Sequence, residues 1–341
     1  MNKREPDFDN NLLRVLKGQK PNRATLFELY FDAPYYPILA GYNKQGDDIL
    51  SDLRIKIDGM AAAGYDYVST YACGLVFQKN SHAQLQTKSI NGGAEIFDWE
   101  SFEKFDWPDV DAQDYSRLEL IAPYLPEGMK LMVMGPGGVL ENVIDLVGYD
   151  NLCIMLFEEP ELVQTIFDNV GSRLLRYYEK ALNYDTVGLI SSNDDWGFNT
   201  QTFLSPADMR KYVFPWHKKI VEAVHKKGKP CLLHSCGRYD KIINDVIDDM
   251  KYDARHSYED NIVPVEQAYE DLNGKIAVLG GIDLNYLATK TPQEIYNRCR
   301  AMLERTSERG GYALGSGNSL ASFVPYENFQ AMQRAALEFD M

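Results

Sequence analysis

Residues 205–236 read SPADMRKYVFPWHKKIVEAVHKKGKPCLLHSC and contain a predicted helix followed by a predicted strand. Ser205 is a suitable helix cap, Pro206 suits the first helical turn, and Gly228 follows a basic last turn. Pro215 lies inside the helical stretch and predicts a kink. The apolar run that follows has the length of one strand and ends at polar residues.

The same alternation of strand and helix extends along the chain. Strand-like runs followed by helical sequence begin near residues 24, 65, 130, 186, 230, 252, 275 and 311. This pattern predicts an α/β fold, a (β/α)8 TIM-type barrel that forms a single domain over residues 1–341. A doubly wound open sheet is the alternative. The stretch 79–111 lacks periodicity and predicts an elaborated loop over one end of the barrel.

Composition and charge exclude several classes of protein. The formal net charge is −15, so we expect no nucleic-acid partner, because polyphosphate binding requires clustered Lys and Arg. No apolar run approaches the ~20 residues that cross a bilayer, and the chain does not open with a secretion signal. We therefore expect a cytoplasmic protein with no membrane partner. Five scattered cysteines predict no disulfide framework.

Polar residues follow most of the predicted strands, at the end where barrels carry their chemistry. They are Glu28, Asn193, Asp194, Asp195, His234, Cys236, His256, Glu259, Asp283, Ser316 and Asn318. Alternation along a strand puts His234 and Cys236 on one face, where an imidazole and a thiolate suit Zn²⁺. The alternative is a buried cysteine beside a histidine that closes the strand.

Paired carboxylates in the stretch NDDWGF, residues 193–198, are candidates for catalysis. Neighbouring carboxylates can ligate a metal, hold a cationic group or move a proton, whereas the alternative is an Asx turn. We expect Asp194, Asp195 and Glu28 to be catalytic.

Substrate contacts are expected from aromatic and polar residues on the same rim. An exposed tyrosine ring at a strand end can stack on a methoxylated ring or a quaternary ammonium, although most tyrosines pack in cores. The expected substrate-binding residues are Tyr30, Tyr71, Asn193, His256, Asp283, Ser316 and Asn318. His217 and His225 lie among lysines on one helix and predict a solvated face.

Three segments together carry a family resemblance: GKPCLLHSCGRYDKIINDVIDDM (228–250), KIAVLGGIDLNYL (275–287) followed by TPQEI, and GGYALGSGNSLASFVPYENFQAM (310–332). In this order they resemble the uroporphyrinogen decarboxylase superfamily, and within it the branch of cobalamin-dependent methyltransferases. The resemblance implies a TIM-type barrel. It also implies methyl transfer between a small-molecule methyl donor or acceptor and a corrinoid (cobalamin) carried by a partner protein, and it admits a homodimer.

The resemblance further implies a zinc ion held by a His-x-Cys pair and a later cysteine. His234 and Cys236 match the pair, but Ser316 stands where the later cysteine is expected. A hydroxyl is a poor zinc ligand beside a thiolate, so either another group completes the site or the metal is bound weakly or not at all. The candidates from other strand ends are Asp194, Asp195, Glu28 and His256.

A decarboxylase of a tetrapyrrole or another polycarboxylate is the alternative function within the superfamily. For this function the resemblance implies an arginine-rich segment near the amino terminus and a histidine in the last strand. This chain offers only Arg23 in the first region and Ser316 in the second, and several carboxylates need several guanidinium groups. A third hypothesis is a protein that binds a tetrapyrrole or corrinoid without turnover.

Overall fold

A parallel sheet of seven strands organises the computed structural model, which describes residues 4–46, 48–77, 94–272 and 274–340. The strands are β1 Tyr67–Tyr71, β2 Lys130–Met134, β3 Val187–Asn193, β4 Cys231–His234, β5 Ala254–His256, β6 Ala277–Leu279 and β7 Tyr312–Ala313. Each strand pairs in parallel with the next one along the chain. This order lacks the reversal of a doubly wound sheet, so that alternative was wrong.

The predicted first strand, residues 24–31, is bonded to the sheet differently from the others. Leu26 forms a parallel bridge with Leu314, but no ladder joins the segment to β1 within the described residues. Side chains of β1 make that junction instead. The Tyr67 hydroxyl accepts a hydrogen bond from the Glu28 N–H at 2.8 Å and donates to the Glu28 carbonyl, and the Ser69 hydroxyl donates to the Leu29 carbonyl. The barrel prediction is therefore confirmed only in part.

Helices connect the strands, and their buried faces pack on the sheet and on one another. They are α1 Leu12–Leu16, α2 Tyr35–Ala40, α3 Ile49–Ala62, α4 Trp99–Lys104, α5 Arg117–Leu120, α6 Val139–Val147, α7 Tyr149–Glu158, α8 Pro160–Ala181, α9 Pro206–Asp208, α10 Phe214–Lys226, α11 Val265–Leu272, α12 Leu284–Thr289, α13 Pro292–Thr306 and α14 Tyr326–Leu337. A 3₁₀ turn covers Ala122–Tyr124, and π-helical turns cover Met209–Val213 and Asp245–Asp249. No described helix is long and apolar enough to cross a bilayer.

The helical stretch before β4 follows the sequence prediction closely, with one exception. Ser205 caps α9 by accepting a hydrogen bond from the Asp208 N–H at 3.1 Å, and the chain passes through a π-helical turn before Pro215 opens α10. The exception is His217, which is fully buried. The prediction that His217 lies on a solvated face was wrong, because His217 lies on the apolar stripe that faces the sheet.

The predicted loop 79–111 contains a short helix. Residues 78–93 lie outside the described residues, and α4 follows them. Asp98 caps α4 by accepting from the Ser101 N–H at 2.7 Å, while the Ser101 hydroxyl accepts from the Asp98 N–H at 3.0 Å. This reciprocal cap supports a six-residue helix that is too short to show helical periodicity in sequence.

Replacing Tyr67 by Phe tests the side-chain junction between residues 24–31 and β1. Loss of the hydroxyl leaves two buried backbone groups of Glu28 without that partner, so we expect destabilisation of roughly 1–3 kcal/mol. Tyr65→Phe is the matched control, because the buried Tyr65 hydroxyl has no hydrogen-bond partner among the described residues. Thermal and urea unfolding of both variants measure the difference. Equal stability of the two variants would contradict the junction.

Candidate metal centre at the strand ends

The register of three neighbouring strands places their polar ends side by side. Asn193 at the end of β3 pairs with His234 at the end of β4, and His234 pairs with His256 at the end of β5. Because the strands are parallel and in register, the residues that follow them emerge at one edge of the sheet. The sequence-predicted candidates at these ends therefore lie close together.

Asp195, His234 and Cys236 form the most concentrated group of metal-ligating side chains in the described residues. One ligand atom from each lies within 4.8 Å of the others. The Cys236 N–H donates to Asp195 Oδ1 at 2.8 Å, which ties the loop after β3 to the loop after β4. Gly237 permits this approach, since a Cβ at that position would lie 2.6 Å from the Gly197 carbonyl oxygen.

A chain of hydrogen bonds fixes the tautomer of His234. His256 Nε2 lies 3.2 Å from the Ser316 carbonyl oxygen, which can only accept, so His256 carries its hydrogen on Nε2. In the neutral ring, His256 Nδ1 then accepts from His234 Nδ1, at 2.8 Å. His234 consequently presents an unprotonated Nε2, which is the form of imidazole that binds a metal.

Both imidazoles are neutral because burial opposes their charged forms. Burial, with a smaller contribution from the nearby Arg255 guanidinium, lowers the pKa of His234 to about 4. Burial and the neighbouring His234 lower the pKa of His256 well below its usual value. Two adjacent imidazolium ions would repel each other, so the neutral pair is the stable state near pH 7.

Cys236 is held as a thiol rather than a thiolate. Burial raises the pKa of Cys236, and the adjacent Asp195 carboxylate raises it further. The Asn318 amide donates to Cys236 Sγ at 3.3 Å, and the Ser257 hydroxyl lies 3.7 Å from the same sulfur. Burial also raises the pKa of Asp195. A cation at this position would favour the deprotonated forms of both groups.

Glu28 and Ser316 form a separate buried pair next to the centre. Ser316 N–H donates to Glu28 Oε1 at 2.7 Å, and Ser316 Oγ lies 2.5 Å from Glu28 Oε2. Ser316 Oγ also lies 2.9 Å from the Asn318 carbonyl oxygen. Burial raises the pKa of Glu28 to about 8. These bonds direct the Ser316 hydroxyl toward Glu28 and Asn318.

Asp194 lies beside the centre but its carboxylate serves a neighbouring helix. It accepts from the Leu140 and Glu141 N–H groups, each at 2.9 Å, at the start of α6. His217 Nε2 lies 2.8 Å from the same carboxylate, and His217 Nδ1 lies 2.7 Å from the Tyr252 hydroxyl. The three contacts of Asp194 are buried or partly buried, and two of them hold the start of α6.

The other predicted site residues divide into structural and exposed positions. Asn193 Oδ1 accepts from the Gly135 N–H at 2.9 Å. Asp283 caps α12 by accepting from the Tyr286 N–H at 3.0 Å. Tyr30 and Tyr71 are 37% and 47% exposed, so their rings are accessible at the strand-end face.

Sequence reasoning missed Glu141. Burial, together with Asp194 and Asp195, raises the pKa of Glu141 to about 8, and its carboxyl accepts from the Gly138 N–H at 2.8 Å. The signal for this cap was present, because Glu141 follows Gly138 by three residues at the start of a helix. Its closeness to two aspartates after β3 could not be predicted from that spacing.

Comparison with known proteins places the chain in a family. The uroporphyrinogen decarboxylase (URO-D) family profile matches residues 94–339, which is more than half of the chain. The chain belongs to the uroporphyrinogen decarboxylase family. This result confirms the resemblance of the three sequence segments.

Individual relatives of the chain carry the names of two kinds of enzyme. The chain is 22% identical over 194 residues to a methylated-thiol–coenzyme M methyltransferase of Methanosarcina mazei, a match that covers 57% of this chain and 49% of the relative. It is 26% identical over 186 residues to a uroporphyrinogen decarboxylase of a Synechococcus species, a match that covers 53% of this chain and 49% of the relative. The chain thus spans about half the length of both relatives.

One solved structure shares the fold over nearly the whole chain. It is a methyltransferase from Methanosarcina mazei, with a TM-score of 0.70 and 16% identity over 98% of this chain and 99% of that one. At this identity the similarity establishes the fold and no more.

Alkylation of Cys236 tests the electrostatics of the centre. Because burial and Asp195 raise the thiol pKa, we expect iodoacetamide to label Cys236 slowly at pH 8 in metal-free protein. The labelling rate should rise as the pH is raised further. Asp195→Asn removes the negative neighbour, lowers the thiol pKa and should speed labelling several-fold. Peptide mass spectrometry measures the rate, with Asp240→Asn as the control. An unchanged rate in Asp195→Asn would contradict this description.

Proposed function

We propose that this chain is a methyltransferase that moves a methyl group between a small substrate and a corrinoid carried by a partner protein. We further propose that zinc, held by Asp195, His234 and Cys236, assists the transfer. The grouping of the three ligand atoms within 4.8 Å of one another supports the proposal most directly. The Methanosarcina relative, whose name describes transfer of a methyl group from a thiol, supports the reaction class.

The donor set fits zinc. One carboxylate, one imidazole and one thiolate are all common zinc ligands, and three protein ligands leave the fourth tetrahedral position for a reactant. Their charges in the bound state, two negative and one neutral, balance Zn²⁺. Asp195 thereby takes the place of the later cysteine that the family resemblance implied, while Ser316 stays bonded to Glu28.

Zinc bound at this position would act as a Lewis acid that keeps a substrate thiol deprotonated. The chain's own residues contribute orientation. The bond from His234 Nδ1 to His256 holds the coordinating imidazole at a fixed angle, and the Asn318 amide supports the Cys236 sulfur. Tyr30 and Tyr71 offer accessible rings for the substrate on the face where a corrinoid protein would approach.

The decarboxylase alternative receives less support from the contacts of Arg23. Its guanidinium is bound to the buried Asp66 carboxylate at 2.5 Å. Arg23 and Asp66 both precede strand segments, so this ion pair belongs to the end of the sheet opposite the candidate centre. Arg23 is thus not available to hold a polycarboxylate substrate beside His234.

Zinc binding tests the proposed ligands. We expect the purified chain to bind one zinc ion, and each of Asp195→Ala, His234→Ala and Cys236→Ala to weaken binding by about 100-fold or more. His256→Ala should weaken it by roughly 10- to 100-fold, because the imidazole tautomer is no longer fixed. Ser316→Ala is the control and should leave affinity near that of the wild type. Competition with a chromogenic chelator measures the zinc affinity of the wild type and of all five variants.

Methyl transfer from free methylcobalamin tests the reaction. We expect methylation of small thiols by the zinc-loaded protein, loss of transfer after zinc removal and recovery when zinc is restored. Chromatography of the methylated thiol and the absorbance change of the corrinoid measure the reaction. Corrinoid binding without transfer to any thiol would contradict the proposal and favour a protein that only binds the corrinoid.

A further inference from the structure

Arg255, in the middle of β5, is a buried cation outside the candidate metal centre. The residue is 8% exposed. His256 follows it in the strand and turns toward His234, so alternation directs Arg255 to the other face of the sheet, toward the outer helices. The feature is therefore a neighbour of the centre and not part of its ligand set.

Arg255 has no carboxylate partner in residues 4–46, 48–77, 94–272 and 274–340. Its Nε is buried and has no hydrogen-bond partner there. This is unusual for a chain with a formal net charge of −15, in which Arg298 contacts both Asp260 and Glu266. Burying a cation without a counter-charge is costly, and an anionic ligand would remove that cost.

Two tyrosine rings hold the guanidinium. Its central carbon lies 4.0 Å from the centre of the Tyr239 ring and 4.6 Å from that of the Tyr258 ring. Cation–π contacts compensate part of the desolvation and fix the plane of the guanidinium. A fixed guanidinium plane is suited to paired hydrogen bonds with a carboxylate, whose two oxygens have the matching spacing.

The guanidinium borders a cavity of ≈ 140 Å³ between the sheet and the outer helices. Its apolar wall consists of Ile243, Ile262, Val263, Ala268 and Leu272. Benzene occupies an apolar cavity of about 150 Å³, which sets the scale of a ligand. The cavity thus combines one cation with an apolar wall large enough for a short hydrocarbon body.

Acidic groups at the lining decide which anion is favoured. Asp240 is paired with Arg238 at 2.5 Å, Asp271 accepts from Gln267 at 2.9 Å, and Glu259 is half-buried. These carboxylates oppose a doubly charged phosphate or a dicarboxylate more strongly than a single charge. Among anions, a single negative charge is therefore the least opposed at this cavity.

We propose that this cavity binds a small monocarboxylate with an apolar body, whose carboxylate lies on the Arg255 guanidinium. The site is independent of the proposed methyl transfer. It adjoins the candidate centre through Ser257, which lines the cavity and whose hydroxyl lies 3.7 Å from Cys236 Sγ.

Calorimetric titration of the metal-free protein with two matched pairs of ligands tests the site. Benzoate and butyrate should bind saturably, and benzamide and butyramide at least about tenfold more weakly. Only the acids supply the negative counter-charge that Arg255 otherwise lacks. Removing metal with a chelator prevents a carboxylate from binding to an ion held by His234. This comparison uses the unaltered protein, so it does not depend on whether a variant folds.

Substitution then locates the bound acid. Arg255→Met should reduce benzoate affinity by at least about tenfold, and Arg255→Lys should restore part of it, because lysine keeps the charge without the paired geometry. Arg334→Met, at an exposed arginine on α14, should bind benzoate as the wild type does. Equal binding of acids and amides, absence of binding by both acids, or full affinity in a folded Arg255→Met would overturn the proposal. None of these outcomes bears on zinc binding or methyl transfer.

Discussion

In-register parallel pairing of β3, β4 and β5 is the constraint on which the rest of the site depends. It sets Asn193, His234 and His256 in one row. The loops that continue from this row then need only one short hydrogen bond, from the Cys236 N–H to Asp195, to bring an oxygen, a nitrogen and a sulfur together. A shift of one residue in β4 would turn His234 to the opposite face and separate these atoms.

Burial determines the protonation states in this row. The two imidazoles are neutral and the thiol keeps its proton because charged forms are poorly solvated there. A cation bound at this centre would compensate the charges of deprotonated Asp195 and Cys236 at once. Arg255 lies on the other face of β5, where its positive charge contacts two aromatic rings and borders a cavity lined by apolar and acidic side chains.

Sequence patterns predicted the elements better than they predicted side-chain partners. Seven strands and the helix before β4 follow from apolar runs, caps and glycines, which act locally. Residues 24–31 differ because tyrosine and serine hydroxyls from β1 bond to their backbone, and such tertiary contacts leave no local signal. The proximity of His234, Cys236 and Asp195 was predictable from strand ends. The anchoring of α6 by Asp194 and the burial of His217 were not, because both depend on helices distant in sequence.

The acceptor that fixes the His234 tautomer is a main-chain atom, the Ser316 carbonyl oxygen. A side-chain change at residue 316 leaves this oxygen in the chain, whereas a histidine ligand oriented by a carboxylate side chain loses its acceptor through one mutation. A change of side chain at residue 316 therefore leaves the imidazole of His234 with the same protonation pattern. The orientation of His234 is in this way independent of the side chain at residue 316, so that this side chain can change without altering the donor atom that His234 presents.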